Sequence, residues 1–259
     1  MLLKNKNAVI YGAGGSIGGA VARAFAREGA RLFLVGRSPA TLEMVAKEIS
    51  AAGGTAETAI VDAFDEEAVD EHSAAVVAKA GSIDVSFNAI DIEGSTQGTA
   101  LIELSPDDIS IPVKERLATN FLTARSAARH MVKKKAGVIL MITATPARMA
   151  FPMTGSFGVE GAAIAGLCRS LASEFSPQGV RVICMRSAGS PESFPETTED
   201  GAPLGKKREE VAAMIAEGTL LKRPTKLTEV GSVAALMASD YASPMTATVA
   251  NMTCGAIVD

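Results

Sequence analysis

The chain has 259 residues, 47% of them hydrophobic and 21% charged, with a formal net charge of −4. That length fits one large or two small domains with a sizeable core, and it excludes disorder as the main state. No block of like charge suggests a nucleic-acid surface, and aromatic residues at 4% with no tryptophan leave little for base stacking.

The first expected strand, Ala8–Tyr11, runs through a glycine-rich turn into a helix over Ile17–Glu28. A strand at Arg31–Val35 precedes a helix over Ala40–Ala51, and a strand at Ala56–Val61 precedes one over Glu66–Ala80. Ile83–Phe87 leads to a long helix, Val113–Lys135, and Val138–Thr143 leads to a helix over Met153–Phe175. Val180–Met185, a helix over Thr228–Ser239 and a last strand at Thr248–Met252 complete the series. Several strands are apolar almost throughout, as in a parallel sheet covered on both faces. Gly29, Gly53, Gly81, Gly137 and Gly179 stand where the helices should stop. The expected fold is α/β: a doubly wound, Rossmann-like, parallel seven-stranded sheet, with residues 1–259 as a single domain.

Ser187–Thr228 breaks the rhythm with four prolines and a short expected helix at Lys206–Glu217. A connection of that length is read as a substrate lid. No apolar run approaches the roughly 18 residues of a membrane span, and no basic–apolar leader pattern opens the chain. Three scattered cysteines, two histidines and no Cys-x-x-Cys pair predict neither a disulfide framework nor a metal site, and suggest a reducing, cytoplasmic setting.

After the first strand comes Gly12-Ala13-Gly14-Gly15-Ser16-Ile17-Gly18. Glycines let the backbone approach a pyrophosphate, while the free N–H groups and dipole of the next helix favour its charge. A strict G-x-G-x-x-G fails, because Ile17 stands at its last position. At the end of the second strand, Val35-Gly36-Arg37-Ser38 offers a cation and a hydroxyl where an acid would bind ribose hydroxyls. That favours NADP(H) over NAD(H).

These landmarks resemble the short-chain dehydrogenase/reductase family over essentially the whole chain. Gly12–Gly18 matches its T-G-x-x-x-G-x-G, with Tyr11 for Thr and Ser16 for the middle Gly. Asp62, beside Ala63, matches the acid that caps the adenine, and Asn88-Ala89-Ile90 resembles its N-A-G with Ile for Gly. Asn120 falls where the family keeps an asparagine, and Gly161–Glu174 tracks the helix after its active-site tyrosine. Gly179–Val182 and Ser187-Ala188-Gly189 follow its sixth strand and cofactor-facing turn. The resemblance implies a nicotinamide cofactor and a homodimer or homotetramer formed through Val113–Lys135 and Met153–Phe175.

The family's mechanism uses a tyrosine as proton donor, a lysine four residues later that acidifies it, a serine and the asparagine. By the resemblance, Phe157 stands at the tyrosine position, Gly161 at the lysine and Ala144 at the serine, leaving Asn120 as the catalytic residue. Neither Tyr11 nor Tyr241 has a lysine four or seven residues on, and none occurs between Lys135 and Lys206. Thr143 and Thr145, or the i, i+4 pair Ser156 and Glu160, are possible substitutes, although a serine beside a carboxylate lacks an acidifying cation. His72 and His130 read as solvated helix positions and Cys168 as core, while Arg148 and Met153 border the expected cleft. Two functions lead: an oxidoreductase moving hydride from NADP(H) by an atypical route, acting on a small-molecule substrate, or a non-catalytic dinucleotide-binding sensor or regulatory subunit. A non-redox reaction in the same cleft is a third.

Overall fold

Strands that are apolar on both faces need helices on both sides, and the computed structural model, which describes residues 1–92, 96–194 and 206–258, has that arrangement. The strands are β1 (Asn7–Tyr11), β2 (Arg31–Gly36), β3 (Thr55–Ile60), β4 (Val85–Asn88), β5 (Gly137–Ala144), β6 (Val180–Ser187) and β7 (Thr248–Met252). They form one seven-stranded sheet in the order β3-β2-β1-β4-β5-β6-β7, parallel throughout. The helices are α1 (Ser16–Arg27), α2 (Pro39–Ala51), α3 (Glu66–Ala80), α4 (Pro106–Lys134), α5 (Phe157–Phe175), α6 (Arg208–Glu217) and α7 (Leu227–Ala238).

Two cores follow from the alternation of side chains along each strand. On one face Ile10, Leu32, Leu34 and Leu140 meet Phe25 of α1, Val45 of α2 and Ala234 of α7. On the other, Val9, Phe33, Ile139 and Val182 meet Val69 of α3, Met131 of α4 and Leu171 of α5. The strand order reverses between β1 and β4, which opens a crevice at the carboxyl ends of those strands.

Two helix starts differ from the sequence expectation by four residues or more. Helix α4 begins at Pro106, seven residues before Val113, because Ser105 caps it: its hydroxyl accepts from the Asp108 N–H while the Asp108 carboxylate accepts from the Ser105 N–H at 2.8 Å. Pro112 is accommodated inside the helix rather than marking its boundary. Helix α5 begins at Phe157 rather than Met153, since Met153 and Gly155 hold positive φ of 60° and 52°. The expected Lys206–Glu217 helix is α6. The lid reading of Ser187–Thr228 falls partly on 195–205, outside the described residues.

Candidate active site

The turn between β1 and α1 is built for close approach. Gly12 has φ +74°, and a Cβ there would stand 2.7 Å from the Ala89 carbonyl oxygen, across the crevice. A Cβ at Gly18 would stand 2.2 Å from the Gly12 carbonyl oxygen, so the first turn of α1 folds directly back on the loop. Gly15 is the N-cap and supplies no side-chain cap, no acid lies in the first turn, and Gly15 and Ser16 face solvent. The helix therefore presents unsatisfied N–H groups and no competing carboxylate, which is the chemistry a pyrophosphate needs.

The other cofactor candidates lie along the same edge. Arg37 and Ser38 are exposed just after β2, and the Ser38 hydroxyl does not cap α2. Asp62 is exposed after β3, its carboxylate accepting from the Phe64 N–H at 3.0 Å, with Ala63 buried beside it. Asn88 is buried, donating to the Thr119 carbonyl and the Thr123 hydroxyl and accepting from the Ile90 N–H at 3.0 Å. It fixes the backbone of Ala89 and Ile90 against β1, where Ala89 N–H donates to the Tyr11 carbonyl.

The first turn of α5 lies hard against the end of β5. A Cβ at Gly161 would stand 2.5 Å from Thr143 Oγ1 and 2.9 Å from the Ala147 Cβ. Thr143 and Ala147 thus occupy space that a side chain at Gly161 would need. Phe157 is half-buried at the start of the same helix, and Ala144 ends β5.

Ser156 and Glu160 do pair, at 2.7 Å, and the cation that the sequence reading found missing comes from α4. Arg116 Nε donates to Glu160 Oε2 at 3.1 Å, one Nη donates to the Ile90 carbonyl at 2.7 Å, and the other reaches Asp91 at 3.2 Å. Thr96 joins through the Ser156 N–H and hydroxyl. Both Glu160 oxygens accept, so the network ties α4, α5 and the loop after β4 together. Asn120 is on the same face of α4, donating to the Arg116 carbonyl at 3.0 Å, and its Oδ1 is enclosed without a partner among the described residues. Arg116 was not singled out from sequence; its position four residues before Asn120 was the available signal.

Neither tyrosine replaces Phe157. Tyr241 is exposed beyond α7. Tyr11 is buried on the α3 face, and desolvation pushes its phenol up to about 12, the wrong direction for an acid catalyst near neutral pH. His72 corrects its reading as a solvated residue: it packs edge-on against Tyr11, with centroids 6.4 Å apart, and burial lowers its pKa. Cys168 is core, its thiol pushed up to about 11 by burial. The free cysteines are Cys168, Cys184 and Cys254.

Because the Tyr11 pKa is raised on folding, its contribution is full below the unfolded value of about 10 and is lost as pH rises towards about 12. Stability should fall by roughly 2–3 kcal/mol from this group across that window. The buried thiols of Cys168 and Cys184 add losses of the same sign. Tyr11→Phe should flatten its share, read as the difference between the two proteins in urea titrations from pH 9 to 11.5. Parallel curves would remove the assignment.

A glycine cradle at the switch point of a doubly wound parallel sheet defines a dinucleotide-binding α/β protein. A sequence-family model described as enoyl-(acyl carrier protein) reductase matches residues 12–256. The chain belongs to the short-chain dehydrogenase/reductase family, whose members are oxidoreductases that use a nicotinamide dinucleotide. Oxidoreductase UcpA of Escherichia coli (strain K12) is 30% identical over 251 residues, 95% of this chain and 92% of that protein. Tropinone reductase-like 2 of Erythroxylum coca is 28% identical over 242 residues, 93% of this chain and 86% of its own. An NAD+-bound xylitol dehydrogenase structure shares the fold with a TM-score of 0.87 at 23% identity, covering 98% of this chain and 100% of that one. Among the described residues, no helix is long and apolar enough to cross a membrane, and no three His, Cys, Asp or Glu residues group to hold a metal.

Proposed function

We propose that the protein is an NADP(H)-dependent oxidoreductase that transfers hydride without the Tyr–Lys proton donor of its family. One observation carries the reading: the phosphate-binding turn keeps its open glycine geometry, whereas the first turn of α5 offers only Phe157 and a Gly161 packed against Thr143. The backbone of Gly12, Gly15, Ser16, Ile17 and Gly18 binds the pyrophosphate, Arg37 and Ser38 the 2′-phosphate, and Asp62 the adenine. The Ala89–Ile90 backbone, held by Asn88, walls the crevice. Asn120 is the one member of the family's catalytic set retained, and it orders a water. The dinucleotide, when bound, supplies the hydride chemistry. Substrates that accept hydride without an enzyme-held acid, such as an activated C=C or an imine, suit this site. A non-catalytic sensor gains no support from relatives named as an oxidoreductase and a reductase.

NADPH is expected to bind more tightly than NADH. The guanidinium–phosphate contact is charge-assisted, so Arg37→Ala should cost roughly 1.5–3 kcal/mol, about 10- to 150-fold in NADPH affinity. Fluorescence or calorimetric titration giving equal affinities, or none, would refute the preference.

We also propose that α4 and α5 form an interface between copies of this chain. Phe121 and Val159 expose apolar area on these helices, at 39% and 50%. A monomer by sedimentation at micromolar concentration would exclude it.

A further inference from the structure

We propose that Arg186 is the recognition residue for a carboxylate carried by the substrate. Arg186 is the penultimate residue of β6 and only 5% exposed. Among the described residues it makes no hydrogen bond or ion pair, and its Nε is enclosed without an acceptor. A buried cation without a partner is costly, and native proteins keep one where a ligand completes it. Among the described residues, the other buried charge of the cleft is matched: Glu160 takes Arg116.

The register says where the guanidinium lies. Arg186 pairs with Thr143 of β5 and Asn251 of β7, so the three side chains share one face at the carboxyl ends of their strands. The charge of Arg186 reaches the Cys184 sulfur, two residues back on the same strand face. Thr143 Oγ1 is likewise buried with no partner among the described residues, and it lies under the Gly161 backbone of α5. A residue with a guanidinium donor and one with an unpaired hydroxyl are therefore register partners on adjacent strands, on the face that carries α5.

The anion is not the cofactor's pyrophosphate. The glycine cradle follows β1, and β6 lies three strands away, about 14 Å at the usual inter-strand spacing. One guanidinium and one hydroxyl fit a planar monoanion better than a dianionic phosphate, and two parallel N–H donors match a carboxylate. The inference rests on the proposed cleft, with the substrate over the ends of β5 and β6.

The test compares melting temperatures in acetate, pyruvate or phosphate against chloride at matched ionic strength, for the whole protein, Arg186→Met and Arg186→Lys. The carboxylates should raise the unaltered protein by about 2–4 °C at tens of millimolar. Arg186→Met should abolish that rise and melt no lower in chloride, since it removes an unpaired buried charge. Arg186→Lys should keep part of the rise. A lower Arg186→Met melting point in chloride would make Arg186 a structural strut and overturn the proposal. Equal carboxylate shifts in both proteins, or a response to phosphate alone, would do the same. NADPH titration of the same variants separates the two readings: loss of the carboxylate response with NADPH binding intact sinks only this inference. Absence of NADPH binding with the response intact sinks only the cofactor assignment.

Discussion

Replacing Arg116 with methionine is expected to destabilise the protein by about 3–5 kcal/mol, the largest single loss anticipated outside the hydrophobic cores. The Arg116 side chain is 13% exposed and its partner Glu160 7%, so neither charge is well hydrated once the pair is broken. Methionine leaves the Glu160 carboxylate with only the Ser156 hydroxyl, and the Ile90 carbonyl loses its 2.7 Å donor. At roughly 2–4 °C per kcal/mol for a chain near this size, the melting temperature should drop by about 10 °C. The double change Arg116→Met with Glu160→Leu should recover most of the loss, because a buried pair is replaceable by apolar groups of similar volume whereas half a pair is not. A drop below 1 kcal/mol for Arg116→Met would mean the network is solvated and does not hold α4 against α5.

The alternation of strands and helices was legible because most of the parallel strands are short apolar runs and α1, α2 and α3 stop at or just before a glycine with positive φ (Gly29, Gly53, Gly81); at α4 the expected stop, Gly137, instead opens β5, and Lys135 takes the left-handed C-cap. The glycine cradle was legible because it is local. What escaped is set by contacts distant in sequence. Ser156 and Glu160 were visible as a spacing, but their cation lies 44 residues away on α4, a distance no local pattern spans. Arg186 was missed because the apolar run of the sixth strand reads as ending at Met185; the strand continues to Ser187 and buries the arginine. The helix expected over Val113–Lys135 starts at Pro106 instead, because the capping box at Ser105 nucleates it about two turns upstream. His72 sits in a charged stretch of α3 that gives no sign of the edge-on contact with Tyr11. Local chemistry was readable, then, and the wiring between α4, α5 and the sheet was not.

The unaltered protein is expected to reduce simple ketones and aldehydes poorly, with a deficit of about 10²–10⁴-fold against a member that holds a general acid. Carbonyl reduction creates an alkoxide that must be protonated in or near the transition state. Phe157 has no proton to give, Tyr11 is buried elsewhere with its phenol pushed up to about 12, and Glu160 already accepts from Ser156 and Arg116. Asn120 can order a water but supplies no cation. From sequence alone, Phe157→Tyr, Gly161→Lys and Ala144→Ser together should restore turnover. The structure changes that expectation, because a Cβ at Gly161 meets Thr143 Oγ1 at 2.5 Å and the Ala147 Cβ at 2.9 Å. Overpacking of this kind costs typically about 1–3 kcal/mol, so the triple variant should melt lower and gain little. Adding Thr143→Ala removes the closer obstruction and deletes a hydroxyl that has no partner to lose. Only that fourfold variant should show a large rise in NADPH-dependent ketone turnover, since the donor groups act as a unit. Robust ketone reduction by the unaltered chain would place the proton donor elsewhere, and Thr143, Thr145 and Ser156 would then be the side chains to remove one at a time.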